Sequence, residues 1–158
     1  MIAVSGGKYE IAKMLIDNHA DINVSNRNGQ IALHYAASKN NLQMLKLLLE
    51  NGSNINTRDK YGMTPLHRSV SKGNIPITKA LLASKKAIID VSDNLGNTPL
   101  HLAAEEERVM EFKLLVVNGA DFGAENKEKK KPLDLVKARQ LLKNLKEFCE
   151  DPKLDEEF

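Results

Sequence analysis

Residues 59–74 read DKYGMTPLHRSVSKGN, and the chain repeats this pattern at a regular interval. The related stretches are NRNGQIALHYAASKNN at 26–41, DNLGNTPLHLAAEEER at 93–108 and, with more changes, NKEKKKPLDLVKARQL at 126–141. Equivalent positions lie 33, 34 and 33 residues apart, as measured from His34 to His67, His101 and Asp134. A second apolar run at helical spacing follows each stretch, for example LQMLKLLLENGSNIN. This period indicates a repeat protein, in which each unit buries its apolar face against a neighbour.

The residue types within one unit predict a tight turn followed by two short helices. Asp59 and Gly62 suit the turn, Thr64 stands at the N-cap position, and Pro65 occupies the first helical position, where no N–H is needed. The unit at 93–108 repeats these four features. In the unit at 26–41, Ile31 replaces the threonine, which removes a cap worth about 1 kcal/mol. The glycines at 52 and 119 suit a left-handed residue at the end of the second helix.

The period and the TPLH signature are those of ankyrin repeats. We therefore predict an all-α fold, an ankyrin-repeat solenoid of paired antiparallel helices with β-hairpin-like turns. We predict a single domain over residues 1–158, comprising a truncated repeat at 1–25, repeats at 26–58, 59–92 and 93–125, a C-terminal capping repeat at 126–148, and an acidic tail at 149–158 that we expect to be disordered. Because the chain enters within the first helix of a repeat, near Ala3, we expect the ancestral protein to be longer at this end.

Composition and motifs favour a protein-binding role over catalysis. The net charge of +2 is nearly balanced, which argues against strong attraction to nucleic acid or to an anionic membrane. The single cysteine, Cys149, suits a reducing compartment, so we expect a cytoplasmic or nuclear location. The repeated histidines lie about one helix spacing apart, roughly 8–10 Å, and zinc ligands must lie about 2 Å from the ion. We therefore expect no metal, no cofactor and no catalytic residues, and we predict that these histidines bond to their local turns.

The predicted partner-binding surface lies on the concave side of the solenoid, which inner helices and turn tips line. We assign to it the exposed inner positions and one residue, Arg68, that replaces a consensus leucine. The complete set is Arg27, Asn28, Gln30, Lys39, Lys60, Tyr61, Met63, Arg68, Lys72, Asn94, Leu95, Asn97, Glu105 and Glu106. The set runs from basic to acidic along the chain, a polarity that would orient a partner. Tyr61, Met63 and Leu95 are candidate anchors for a partner, because they are apolar residues at turn tips, where packing in the core does not require an apolar side chain.

Several longer stretches resemble the gankyrin family of ankyrin-repeat proteins. They are NGQIALHYAASKNN, MTPLHRSVSKGN, NLGNTPLHLAAEEERVMEFKLLVVNGAD and ENKEKKKPLDLVKA, and the resemblance extends over residues 20–138. It implies an assembly chaperone of the proteasome regulatory particle, which binds the C-terminal domain of one proteasomal ATPase subunit with its concave face. The family is also associated with a cyclin-dependent kinase, with the retinoblastoma protein and with a ubiquitin ligase of the p53 pathway.

The resemblance does not extend to every partner. The family carries an L-x-C-x-E motif for the retinoblastoma protein, and the matching residues here are Leu102, Ala104 and Glu106. Alanine replaces the motif cysteine, so this partner is not carried over. Two alternatives stay open at this point, a regulator of a cyclin-dependent kinase and a general ankyrin scaffold with an unrelated partner.

Overall fold

The computed structural model describes residues 1–152, and the chain divides into two compact units. The first unit is Met1–Ala87, and the second begins at Ile88. The division falls within the segment SKKAIIDVSD at 84–93, which holds the additional residue of the 34-residue interval. Periodicity alone predicted one domain, because a regular repeat carries no signal of where the chain separates.

The first unit contains three helical hairpins, each joined by three residues. Its helices are α1 Ile2–Ser5, α2 Tyr9–Asp17, α3 Ala32–Ser38, α4 Leu42–Glu50, α5 Pro65–Ser71 and α6 Ile75–Ala83. The helices α1, α3 and α5 pack side by side in an inner row, and α2, α4 and α6 form an outer row. The inner helices present their N-terminal ends to the turns that carry the candidate site residues.

The second unit contains one helical hairpin and a modified one. Its elements are α7 Pro99–Glu105, α8 Val109–Val117, a 3₁₀ helix Pro132–Leu135 and α9 Arg139–Glu150. The 3₁₀ helix takes the place of an inner α-helix, and the backbone becomes extended at Val136 directly after it. The helix α9 continues through Cys149 and Glu150, so the predicted tail is wrong for these two residues. The rest of that prediction falls mainly on residues 153–158, which lie outside the described residues.

The all-α prediction is confirmed, since residues 1–152 form helices and turns without a β-strand. In the same part of the chain, every helix is too short or too polar to cross a bilayer. The predicted N-cap positions are confirmed at Thr64 and Thr98, each of which has extended backbone and precedes a proline at the first helical turn. The Thr64 hydroxyl accepts a cap bond from the His67 N–H, whereas Thr98 makes no such bond. Leu66 and Leu100 then enter the core.

Candidate partner-binding surface

One side-chain oxygen organises each turn tip. In the first unit, Asp59 Oδ1 accepts hydrogen bonds from the N–H groups of Tyr61 at 2.9 Å and Met63 at 3.1 Å. The same double acceptor recurs at Asn26, and in the second unit at Asp93 and Asn126. These bonds set the backbone of the tip before any partner arrives, which lowers the ordering cost of binding.

The repeated histidines connect each inner helix to a turn. The Ile31 N–H donates to His34 Nδ1 at 3.2 Å, so Nε2 carries the proton and donates to the Met63 carbonyl at 3.1 Å. Burial lowers the pKa of His34 below its ordinary value of 6.5, which favours this neutral form. In the second unit, His101 bonds the Thr98 N–H and the Lys130 carbonyl in the same way. The predicted structural role of these histidines is therefore confirmed.

Adjacent turn tips are also hydrogen-bonded to each other within each unit. The Lys60 N–H donates to the Asn28 carbonyl at 2.8 Å in the first unit. The Lys127 N–H donates to the Leu95 carbonyl at 3.1 Å in the second. Within each unit, the two adjacent tips are therefore joined by a direct backbone hydrogen bond.

Tyr61 is the most prominent side chain on the edge of the first unit. It is 53% exposed, with Lys60 Nζ 5.0 Å and Arg68 Cζ 5.7 Å from the centre of its ring. Both cations lie within the range of a cation–π interaction. An exposed aromatic ring that is held between two cations has the character of an interface anchor.

Arg68 has a structural role that the sequence analysis did not assign. Its guanidinium is paired with the buried carboxylate of Asp59, and Arg68 Nε lies 3.1 Å from Asp59 Oδ2. Burial alone would raise the pKa of Asp59, but the bonds from Arg68 and from the tip N–H groups outweigh it and lower that pKa. Asp59 therefore stays ionised and connects the tip to helix α5. The sequence contained a signal for this ion pair, because Arg68 stands at a consensus leucine position nine residues after the turn aspartate Asp59.

The predicted site residues divide into exposed and buried groups. In the first unit, the exposed ones are Arg27, Asn28, Lys39, Lys60, Tyr61 and Lys72, while Gln30, Met63 and Arg68 are half-buried. In the second unit, the exposed ones are Asn94, Leu95, Glu105 and Glu106. The prediction that Asn97 is exposed is wrong. Asn97 is only 7% exposed, because its side-chain oxygen accepts a hydrogen bond from Asn126 Nδ2 at 2.8 Å in the next turn.

The two units carry opposite charges at the ends of their inner helices. Lys39 and Lys72 directly follow α3 and α5, whereas Glu106 occupies the corresponding position after α7 and Glu105 is the last residue of that helix. In the first unit we define the basic face as Arg27, Lys39, Lys60, Arg68 and Lys72. Asp59 is the only acidic residue in the stretches 26–41 and 59–74, and Arg68 pairs with it. The exposed groups of the basic face are therefore positive.

The residues that match the retinoblastoma-binding motif do not form an accessible segment. Leu102 and Ala104 are both buried within α7, and Glu106 follows its end. Leu102 therefore faces the core of the second unit.

A family model described as ankyrin repeats in three copies matches residues 1–93 and again residues 57–126. Together the two matches extend over most of the chain. This chain belongs to the ankyrin-repeat family. Proteins of this family are typically non-enzymatic scaffolds for protein–protein interaction, and this assignment makes the chain a protein-binding scaffold. Among residues 1–152, no cluster of His, Cys, Asp and Glu is arranged to hold a metal ion.

Similarity to curated proteins is confined to part of the chain. Over 78 residues it is 38% identical to Ankyrin repeat and IBR domain-containing protein 1 of Homo sapiens, a match that covers 46% of this chain and 7% of that protein. Over 53 residues it is 42% identical to Oxysterol-binding protein-related protein 1 of Mus musculus, covering 34% of this chain and 6% of that protein. The ankyrin-repeat chain thus spans a small fraction of the length of these relatives.

Proposed function

We propose that this ankyrin-repeat protein is an assembly chaperone that binds the C-terminal domain of a proteasomal ATPase subunit through the basic face of its first unit. The observation that carries the proposal is the exposed Tyr61 ring, which two cations flank on a preorganised turn. The partner surface that fits it is acidic, with an apolar or aromatic contact for the ring at its centre.

The choice of partner rests on the resemblance of residues 20–138 to the gankyrin family. The stretches HYAASKNN and EERVMEFKLLV include repeat positions that vary between ankyrin proteins, so they support a particular family more strongly than TPLH does. The proposed location follows from the partner, since a chaperone of the proteasome acts in the cytoplasm or the nucleus. Fluorescence microscopy of the tagged chain tests that part of the proposal.

Charge reversal on the basic face tests the proposed binding mode. The exposed residues Lys39 and Lys72 follow inner helices, so the double variant Lys39→Glu and Lys72→Glu should fold normally. We expect its affinity for the ATPase domain to fall at least about tenfold, or ~1.4 kcal/mol, because two attractive charge contacts become repulsive. Isothermal titration calorimetry measures the affinity, and circular dichroism checks the fold.

The outer row of the same unit provides the matched control. Lys13 and Lys46 are exposed on α2 and α4, and reversing both changes the net charge equally. This control variant should bind as the unchanged protein does. If the control loses binding and the basic-face variant retains it, the proposed surface is incorrect.

Capture from cell extract with identification by mass spectrometry tests the partner itself. Recovery of proteasome regulatory subunits supports the proposal. Recovery of a cyclin-dependent kinase without those subunits would overturn the proposal and favour the alternative function, a regulator of such a kinase.

A further inference from the structure

Three asparagine–glycine pairs occur in the chain, at Asn28, Asn51 and Asn118. Asparagine before glycine is the pair most prone to spontaneous deamidation in water, because glycine has no side chain to hinder its own nitrogen. Sequence alone treats the three pairs as equivalent. Their surroundings in the structure differ.

The side chains of Asn51 and Asn118 are held by hydrogen bonds. Asn51 Nδ2 donates to the Leu47 carbonyl at 2.8 Å, and Asn118 Nδ2 donates to the Leu114 carbonyl at 2.8 Å. Each of these bonds attaches the amide to the last turn of its own helix. The side chain cannot then rotate towards the following glycine unless the bond breaks.

Asn28 differs from both in its bonding, whereas Asn51 is as exposed as Asn28 and only Asn118 is half-buried. Asn28 lies at the turn tip, is exposed, and its side-chain amide forms no hydrogen bond within residues 1–152. The N–H groups of Gly29, Gly52 and Gly119 each donate to one backbone carbonyl, at 2.9, 3.2 and 2.9 Å, so the unbonded side-chain amide is what distinguishes Asn28.

We propose that Asn28 is a specific site of spontaneous deamidation. The Gly29 nitrogen attacks Cγ of Asn28 and loses its proton, the Cγ–Nδ2 bond breaks, and ammonia leaves to give a cyclic imide. Water then adds to either imide carbonyl. Opening at Cγ yields aspartate, and opening at the backbone carbon yields isoaspartate, in which the main chain passes through Cγ. No oxidation or reduction takes place.

The product changes the contacts between two turns. The Asn28 carbonyl accepts the Lys60 N–H at 2.8 Å, and the Asn28 N–H donates to Asn26 Oδ1 at 2.8 Å. Isoaspartate adds a methylene group to the main chain between these two bonds, so both cannot keep their geometry. Either product also places a negative charge beside Arg27 and Lys60. The modification therefore loosens the edge of the first unit at its most basic point.

Peptide mapping by mass spectrometry of the full chain, aged in mildly alkaline buffer, tests the site. We expect aspartate and isoaspartate to accumulate at residue 28 at least several-fold faster than at residues 51 and 118. The same chain aged in denaturant is the control, and there the three sites should react at similar rates. Equal rates in the folded protein, or faster conversion at either of the other sites, would overturn the proposal.

A second experiment tests whether isoaspartate at residue 28 loosens the contact between the two turns. Chromatography separates the isoaspartate form, and hydrogen exchange then compares the Lys60 amide in the aged and fresh protein. We expect its protection to be lost in the isoaspartate form and retained in the variant Asn28→Asp, which adds the charge without lengthening the main chain. Unchanged protection in the isoaspartate form would refute the proposed loosening.

Discussion

Glu111 is a buried carboxyl group at a position where the repeat pattern calls for an apolar residue. In the outer helices of the first unit, the equivalent positions hold the buried residues Met44 and Ile77. Glu111 is 3% exposed, and its Oε1 has no hydrogen-bond partner within the described chain. Burial raises the pKa of Glu111 above its ordinary value of 4.5, with a smaller opposing effect from Arg108.

Replacing this carboxyl group should stabilise the protein. We expect Glu111→Met to raise the free energy of unfolding by about 1–3 kcal/mol at neutral pH, because a buried polar group without a partner carries a desolvation penalty of that order. Chemical denaturation measures the change. The substitution of an exposed glutamate on an outer helix, Glu50→Met, is the control and should shift stability by no more than about 0.5 kcal/mol.

The effect of Glu111→Met should also depend on pH. A folded-state pKa above the unfolded value means that protonation favours the folded state, so stability declines as pH rises from 4.5 through the folded pKa. The gain from methionine should therefore be smaller below pH 4.5 than at neutral pH. A gain that is the same at both pH values would show that the charge on Glu111 is not the cause.

At the scale of one element, the turn tips require close contact between backbones. Gly96 has φ of +83°, and a Cβ atom there would lie 2.7 Å from the Lys127 nitrogen of the next turn. Gly119 also has a positive φ, +93°, but a Cβ atom there would meet nothing within 4 Å. The two glycines therefore separate the cost of the left-handed conformation from the cost of steric overlap.

Alanine substitution at each glycine measures these two costs. We expect Gly119→Ala to lower the free energy of unfolding by about 1–2 kcal/mol, the cost of a left-handed conformation for a residue with a side chain. Gly96→Ala should lower it further, because the backbones of two turns must move apart. Thermal unfolding compares the variants, and equal losses would mean that the tips are not in close contact.

At the scale of the whole chain, the first unit has an apolar face that nothing covers in the described structure. Ile11 and Leu15 are 52% and 48% exposed, whereas the equivalent residues one repeat later, Met44 and Leu48, are buried. Because α2 packs on one side only, it is held by less apolar burial than α4, which packs between α2 and α6.

Hydrogen exchange should reveal this difference within the first unit. We expect the amides of α2 to exchange at least about tenfold faster than those of α4, which corresponds to ~1.4 kcal/mol of local stability. Exchange detected by mass spectrometry resolves the two helices. Equal protection that persists on dilution would contradict the expectation, while protection that falls on dilution would reveal self-association through this face.

The arrangement of helices and turns was predictable because its causes are local in sequence. The 33-residue period, the threonine and proline at each helix start, and the glycines after the outer helices depend on neighbours within a few positions. They identified the family and the N-cap positions of α5 and α7. The capping repeat was less predictable. Its 3₁₀ helix does not follow from the loss of the threonine alone, because α3 is an α-helix although Ile31 provides no cap, and α9 extends through Cys149 where it packs against α8.

The amino-acid sequence by itself determined the repeat, the all-α fold and the position of each turn tip. Only the tertiary structure decided which tip residues are available to a partner. Asn97 is buried by Asn126 although the repeat pattern placed it on the exposed surface, and Arg68, which was assigned to the binding surface at a consensus leucine position, is paired with Asp59. The physical reason is that these side chains satisfy buried hydrogen-bonding groups in the adjoining turn or helix, 9 to 29 residues away. A pattern that repeats every 33 residues predicts the position of a residue on the backbone of its repeat. The element that packs against that residue decides which groups its side chain contacts.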